Sequence, residues 1–483
     1  VIPRRTLLTL AGTAASCAVD ASFAARAAEL AAPPADPMLT AGFAPVLDEV
    51  DLPALAIRGE IPAALRGGAY LRNGPNPQFA PESYTYPFDG DGMIHALSFS
   101  PDGRAAYRNR FVLTRGLAAE RRAGRALYGE LAAPRRPDPA LLRPGEDRGP
   151  FKNLANTNVI RHAGRLLALW EGGAPYELGP DLATVGPMDF EGRLPRVTAH
   201  PRIDPATGEL VMFAYEAGRP ELDLIVADAA GRVTERRSIP IGQSLMVHDF
   251  AITPRHLVFL CCPLAFDVEA GSRPGGRFLQ WRPELGTRIA LVERHGPGIR
   301  WFDAEPFFTY HLVNAHEAAA EIVVDFVRYA GFGAPRARLE RARLSDAGAR
   351  LETLDERGCE LPRIDPRRVG QPHAHAWLVA KSSDRLPRGV SDSLAHWDTA
   401  GGALRLRSFG PGQEVDEPVF VADPARGAEG GWLMAYVYDR AADTSRLVIL
   451  DALDLSRPVA EVLIGRRVPH GLHGNWMPGF HIG

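Results

Sequence analysis

Residues 432–439 read WLMAYVYD, and residues 445–454 read SRLVILDALD. Both are short apolar runs with many branched and aromatic residues. The same texture recurs along the chain: RLLALWEGG (165–173), GELVMFAY (208–215), LDLIVADAAGR (222–232), HLVFLCC (256–262) and AEIVVDFVRY (320–329). Many of these runs are separated by DG, AG or TG dipeptides. Runs of this length bounded by turn residues predict strands and hairpins. Long amphipathic helices are not evident, and no GH…WD repeat occurs. So many short strands exceed what one sandwich can hold. A β-propeller accommodates them by repeating four-stranded blades about an axis, and seven blades would average roughly 60 residues each. The pattern predicts an all-β protein, with such a propeller, its long loops on one face, as the architecture that accommodates it.

The chain has 483 residues, 46% hydrophobic and 23% charged, with 48 Gly and 42 Pro. That composition suits a large globular core with many turns. The net charge of −3 offers no broad basic surface, so nothing points to nucleic acid. The four cysteines, Cys17, Cys261, Cys262 and Cys359, form no C-x-x-C clip, and adjacent Cys261 and Cys262 rarely meet disulfide geometry. Residues 1–28 carry PRRTLLTLAGTAA and an Ala25-Arg26-Ala27 site. They resemble a twin-arginine export signal, which predicts a periplasmic location; a cytoplasmic, membrane-associated protein is the alternative. Residues 29–44 read as a Pro/Ala linker and 45–483 as the propeller domain. Beyond the first 28 residues, no run of 18 apolar residues occurs that would span a membrane.

Fourteen histidines punctuate the chain, and four contexts stand out: TAHPRIDPATGEL with His200, MVHDFAIT with His248, TYHLVNAHE with His311 and His316, and VPHGLHGNW with His470 and His473. In TYHLVNAHE the two rings are five residues apart. On a helix that spacing sets them about 140° from each other, and on a strand it puts them on opposite faces. At most one can reach a shared ion, so its partners must lie elsewhere. The spacing also matches no zinc-protease helix.

Taken in order, YLRNGPNPQF (70–79), FDGDGMIHAL (88–97), NTNVIRHAGRLLALWEGG (156–173), AHPRIDPATGEL (199–210), HDFAIT (248–253), HLVNAHE (311–317), ELPRID (360–365), DEPVFV (416–421) and GLHGNW (471–476) resemble the carotenoid cleavage oxygenases. The resemblance runs over nearly all of the chain after the first 45 residues. It implies an all-β, seven-bladed β-propeller whose long loops cap one Fe(II) on the axis, held by His200, His248, His311 and His473. It also implies three glutamates, Glu171, Glu360 and Glu417, each orienting a ligand imidazole. Neutral imidazoles suit Fe(II), and the carboxylates supply counter-charge.

By the same resemblance, Thr157 crowds one open position of the metal. The reaction it implies is cleavage of a carbon–carbon double bond by O2 into two carbonyl products. The expected substrate is a carotenoid or apocarotenoid. In the stilbene-cleaving branch a lysine stands where this chain has Trp170, which suits an apolar polyene instead. Cleavage of a lignostilbene or resveratrol-type stilbene is the alternative reading, and a non-catalytic propeller binding an apolar ligand is a further one. Aromatic channel candidates are Phe88, Trp170, Phe250 and Phe308, with Trp301, Phe302 and Phe307 also in view. Relatives of this kind contact membranes near the tunnel mouth, which makes the loop at 127–150 the expected site of peripheral contact.

Overall fold

The computed structural model describes residues 36–482, apart from 82, 132, 191–193, 272, 274, 275 and 384. The export-signal segment expected at 1–28, with Cys17, lies outside the described residues. The strands form seven antiparallel blades around a central axis. Blade 1 holds Gly68–Pro75, Gly92–Phe99 and Ala105–Phe111, with Gly474–Pro478 as its inner strand and Asp51–Leu52 at its edge. The inner strands of blades 2 to 6 are Asn158–His162, Arg202–Ile203, Phe250–Ile252, Leu312–Ala318 and Cys359–Ile364. In each of these blades three more strands follow outward. Blade 7 begins with Gln413–Val415 and Val419–Ala422, both paired to Gly431–Asp439.

The apolar runs show no alternation because each blade is packed on both faces. In Gly431–Asp439, Leu433, Ala435 and Val437 join the core shared with blade 6, while Met434 and Tyr436 join the core shared with blade 1. The outer strand Val233–Pro240, with one face to solvent, does alternate. Seven such interblade cores encircle the axis.

Two strands from opposite ends of the chain close the ring. Gly474–Pro478 pairs with Gly68–Pro75, and Ala56–Gly59 pairs with Pro458–Leu463 on the outside of blade 7. Packing starts earlier than the expected linker boundary at residue 44: Gly42 and Phe43 are buried, and Gly42 O accepts from His470 N at 2.7 Å. Cys261, Cys262 and Cys359 are buried thiols without disulfides. Among the described residues no helix is long and apolar enough to cross a membrane.

Candidate metal centre

Each blade contributes one residue to a ring on the axis, at or just before its inner strand. Going round, these are His473, Thr157, His200, His248, His311, Glu360 and Glu417. Glu171 joins them from the end of the second strand of blade 2. This placement explains why the four histidines are so far apart in sequence: they occupy equivalent positions in different blades.

Local packing explains the motifs. Asp249, next to His248, accepts both Arg202 (2.7 and 2.8 Å) and Leu312 N (2.8 Å). One buried carboxylate therefore ties together the loops carrying His200, His248 and His311. In GLHG, a Cβ on Gly471 would lie 2.6 Å from Arg72 Nε, and one on Gly474 would lie 2.7 Å from Leu71 O. The backbone flanking His473 passes too close to blade 1 for any side chain. Glu360 sits at a bulge, where the register slips between Glu360 and Arg363 and Leu361 takes φ 51°. Such a φ costs a leucine about 1–2 kcal/mol, and it is held where the chain must turn to aim a functional side chain.

Three imidazoles donate Nδ1–H to carboxylates. His248 pairs with Glu171 (2.7 Å), His311 with Glu360 (2.6 Å) and His473 with Glu417 (2.8 Å). Each carboxylate is itself held. Tyr215 donates to Glu171 (2.9 Å), Tyr329 to Glu360 (3.0 Å), and Gly474 N to Glu417 (2.9 Å) with Arg363 at 3.4 Å. Because an ionised carboxylate only accepts, the protons sit on Nδ1 and the lone pairs on Nε2.

Those lone pairs converge. Ligand atoms of His200, His311 and His473 lie within 4.8 Å of one another, and His248 Nε2 is 2.9 Å from His200 Nε2. Two nitrogens bound at right angles to one ion would stand roughly 3 Å apart. His311 Nε2 is buried with no hydrogen-bond partner. Three glutamates and Arg363 leave two formal negative charges around the ring. Inward lone pairs, an orphaned nitrogen and that charge all fit a divalent cation.

Burial pushes His200 well below the ordinary imidazole range, and the three neighbouring histidines push the same way. Burial also lowers His473, against the pull of Glu417. For His311 burial is outweighed by Glu360, which raises it. Burial works against the charge on Glu360 and Glu417, but His311 and Arg363 respectively outweigh it and hold both low. Glu360 and Glu417 stay charged, and a cation and a proton would compete for the same Nε2 lone pairs.

The centre opens into an axial cavity of about 240 Å³, lined by Thr157, His248, Tyr310, His311 and His473. A lateral cavity of about 310 Å³ shares Phe88, Trp170 and Glu171 with it and continues past Phe151, Phe266 and Phe278. The Thr157 hydroxyl donates to Asn156 Oδ1 at 2.9 Å. Phe88 and Trp170 line both cavities, and Thr157 lines the axial one.

Phe250 and Phe308 do not. Phe250 is fully buried, stacked on Phe259 at 5.4 Å in the core between blades 3 and 4. Phe308 is buried between blades 4 and 5, behind Tyr310 at 4.6 Å. Short inner strands are packed on both faces, so proximity in sequence to a ligand does not bring a ring to the axis. Trp301, Phe302 and Phe307 also belong to blade packing. Sequence reasoning missed Tyr215, Tyr310, Tyr329, Arg363 and Asp249. The available signal was a polar or phenolic residue beside a ligand motif or at the inner end of an apolar strand.

A family model described as retinal pigment epithelial membrane protein (RPE65) matches residues 43–478. A carotenoid cleavage oxygenase of Mycobacterium tuberculosis is 35% identical over 92% of this chain and 98% of its own length. An apocarotenoid-15,15'-oxygenase of Synechocystis is 32% identical over 87% of this chain and 92% of its own. The crystal structure of a Pseudomonas brassicacearum lignostilbene dioxygenase superposes with a TM-score of 0.86 at 31% identity, covering 93% of this chain and all of that one.

Proposed function

The chain belongs to the RPE65/carotenoid cleavage oxygenase family, and from that premise we propose an Fe(II)-dependent oxygenase that splits a carbon–carbon double bond of a carotenoid or apocarotenoid into two carbonyl products. The observation that carries this reading is the set of three Nδ1–H…carboxylate pairs behind converging Nε2 atoms at the end of an aromatic-lined cavity.

His200, His248, His311 and His473 would hold the iron, which when bound supplies the site where O2 reacts. The chain's own contribution is position and dryness. Glu171, Glu360 and Glu417 fix the tautomer and aim of three ligand rings, and Tyr215, Tyr329 and Gly474 N fix the glutamates in turn. Thr157, on the same ring as the histidines, narrows the open side. Phe88 and Trp170, at the junction of the two cavities, flank a rigid polyene and set which bond lies at the centre. The cavities offer a long apolar path, as a polyene requires. Tyr128 and Leu131, from the loop expected to touch a membrane, border the lateral cavity where such a substrate would enter.

A stilbene is the second reading. The Tyr310 hydroxyl in the axial cavity favours it, since that group can hydrogen-bond a phenol. Anaerobic loading with Fe(II), then O2 uptake with an apocarotenal and with resveratrol, separates the two. We expect O2 consumption with the apocarotenal and two carbonyl fragments by mass spectrometry. Absence of uptake with every polyene and stilbene tried would sink the enzymatic reading.

A further inference from the structure

The axial cavity extends beyond the histidines to a loop that follows the His375–Ala380 strand of blade 6, where Lys381 and Arg388 line its wall. Lys381 Nζ donates to Pro387 O at 2.9 Å, which folds the loop back on itself. Arg388 makes no ion pair or hydrogen bond among the described residues. The lateral cavity is different: its Lys152 is clamped between Asp91 and Glu120, both at 2.5 Å. Tyr310 lines the same cavity, its ring 5.6 Å from that of His248 and 6.2 Å from that of His311. No described residue hydrogen-bonds its hydroxyl.

We infer that Arg388, assisted by the Tyr310 hydroxyl, receives an acidic oxygen terminus of the substrate, a carboxylate at the end of an otherwise apolar chain. The two cavities divide the work by chemistry. The aromatic lateral cavity takes the hydrocarbon, and the wall of the axial cavity presents the exposed Arg388, which no described residue neutralises. A carboxylate matches that fork through two parallel hydrogen bonds, whereas an ester or aldehyde offers one neutral acceptor. The cationic end also fixes direction. A substrate anchored there can slide only so far, so the distance from its acid group to the metal centre selects the bond presented. This rests on reading the cavities as the substrate site.

The test compares an apocarotenoic acid with its methyl ester on the iron-loaded full chain, without oxygen, by quenching of tryptophan fluorescence. The acid should bind about tenfold more tightly than the ester at pH 7. The ratio should fall close to one in Arg388→Gln, stay partly above one in Arg388→Lys, and fall by less in Tyr310→Phe. Equal affinities in the unaltered chain, or a ratio that survives Arg388→Gln, would overturn the inference. Because no turnover is needed, the two readings fail separately. An intact ratio without later cleavage counts against the proposed reaction alone, and cleavage without a ratio counts against Arg388 alone.

Discussion

His311 and His316 share one stretch of nine residues but belong to two different histidine clusters. On the axis, His248, His311 and His473 carry their proton on Nδ1, fixed by a glutamate, and turn a bare Nε2 inward. Away from the axis, His316 and His373 meet at the seam of blades 5 and 6, while His375 and His396 lie on the other face of blade 6, toward blade 7. At the seam Asn314 Nδ2, which also donates to Arg368 O and Gln371 O, faces His373 Nδ1 at 3.2 Å and can accept no proton from it, an orientation fixed because Asn314 Oδ1 accepts from Gly370 N. The proton of His373 therefore sits on Nε2, 3.7 Å from an Asp325 already engaged by Arg341. His396 and His375 hydrogen-bond each other at 3.1 Å. His373 thus holds its proton on the opposite nitrogen to His248, His311 and His473. A carboxylate behind the ring, more than the number of rings, is what builds a cation site.

The contrast can be broken at its strongest point first. His311→Ala should lower iron affinity by more than about 100-fold, while His373→Gln should retain one iron per chain after dialysis. Full iron occupancy in His311→Ala would remove it from the ligand set. Next, Glu360→Gln keeps an acceptor but loses the charge, and should weaken iron binding about 10- to 100-fold in a chelator competition. Affinity unchanged by that substitution would make the carboxylate incidental.

The histidines of blade 6 should show themselves through acid. Burial pushes His373 and His396 down to about 4, below the roughly 6.5 of an unfolded chain. The unfolded state therefore takes up protons first. The stability at stake is complete above about pH 6.5 and is lost progressively as pH falls toward 4. Urea midpoints measured across that window should drop less steeply in His373→Gln, and identical slopes would clear His373 of the effect. The smallest effect concerns preference. Trp170→Lys should shift relative turnover several-fold from apocarotenoid toward phenolic stilbene, and an unmoved ratio would remove Trp170 as the discriminator.

Much of this was legible in the sequence, for reasons that differ by residue. Strands such as Glu321–Tyr329 read as unbroken apolar runs because both faces of a blade are covered, and that is also why their alternation could not reveal faces. The ring residues were legible through their flanking motifs, whose glycines and Asp249 are dictated by close backbone approach and shared hydrogen bonds. The ring positions of Phe250 and Phe308 were not, since a two-residue offset from His248 says nothing once the chain bends into a strand. Nor was the closure, which pairs residues about 400 apart. Tyr310 was overlooked although it adjoins His311, because an aromatic beside a ligand is indistinguishable from core without its neighbours.

The closing strand of blade 1 also sets a schedule. His473 stands immediately before Gly474–Pro478, so the last ligand and the latch that joins the ring arrive together. While the ribosome is still making blade 7, His200, His248 and His311 exist, but the fourth corner does not. A nascent propeller can therefore fold most of its blades as an open arc and present three imidazoles that hold a cation poorly. Under the proposed function, metal capture would be a late event in synthesis, coincident with circularisation, and the ion would fasten the closing seam.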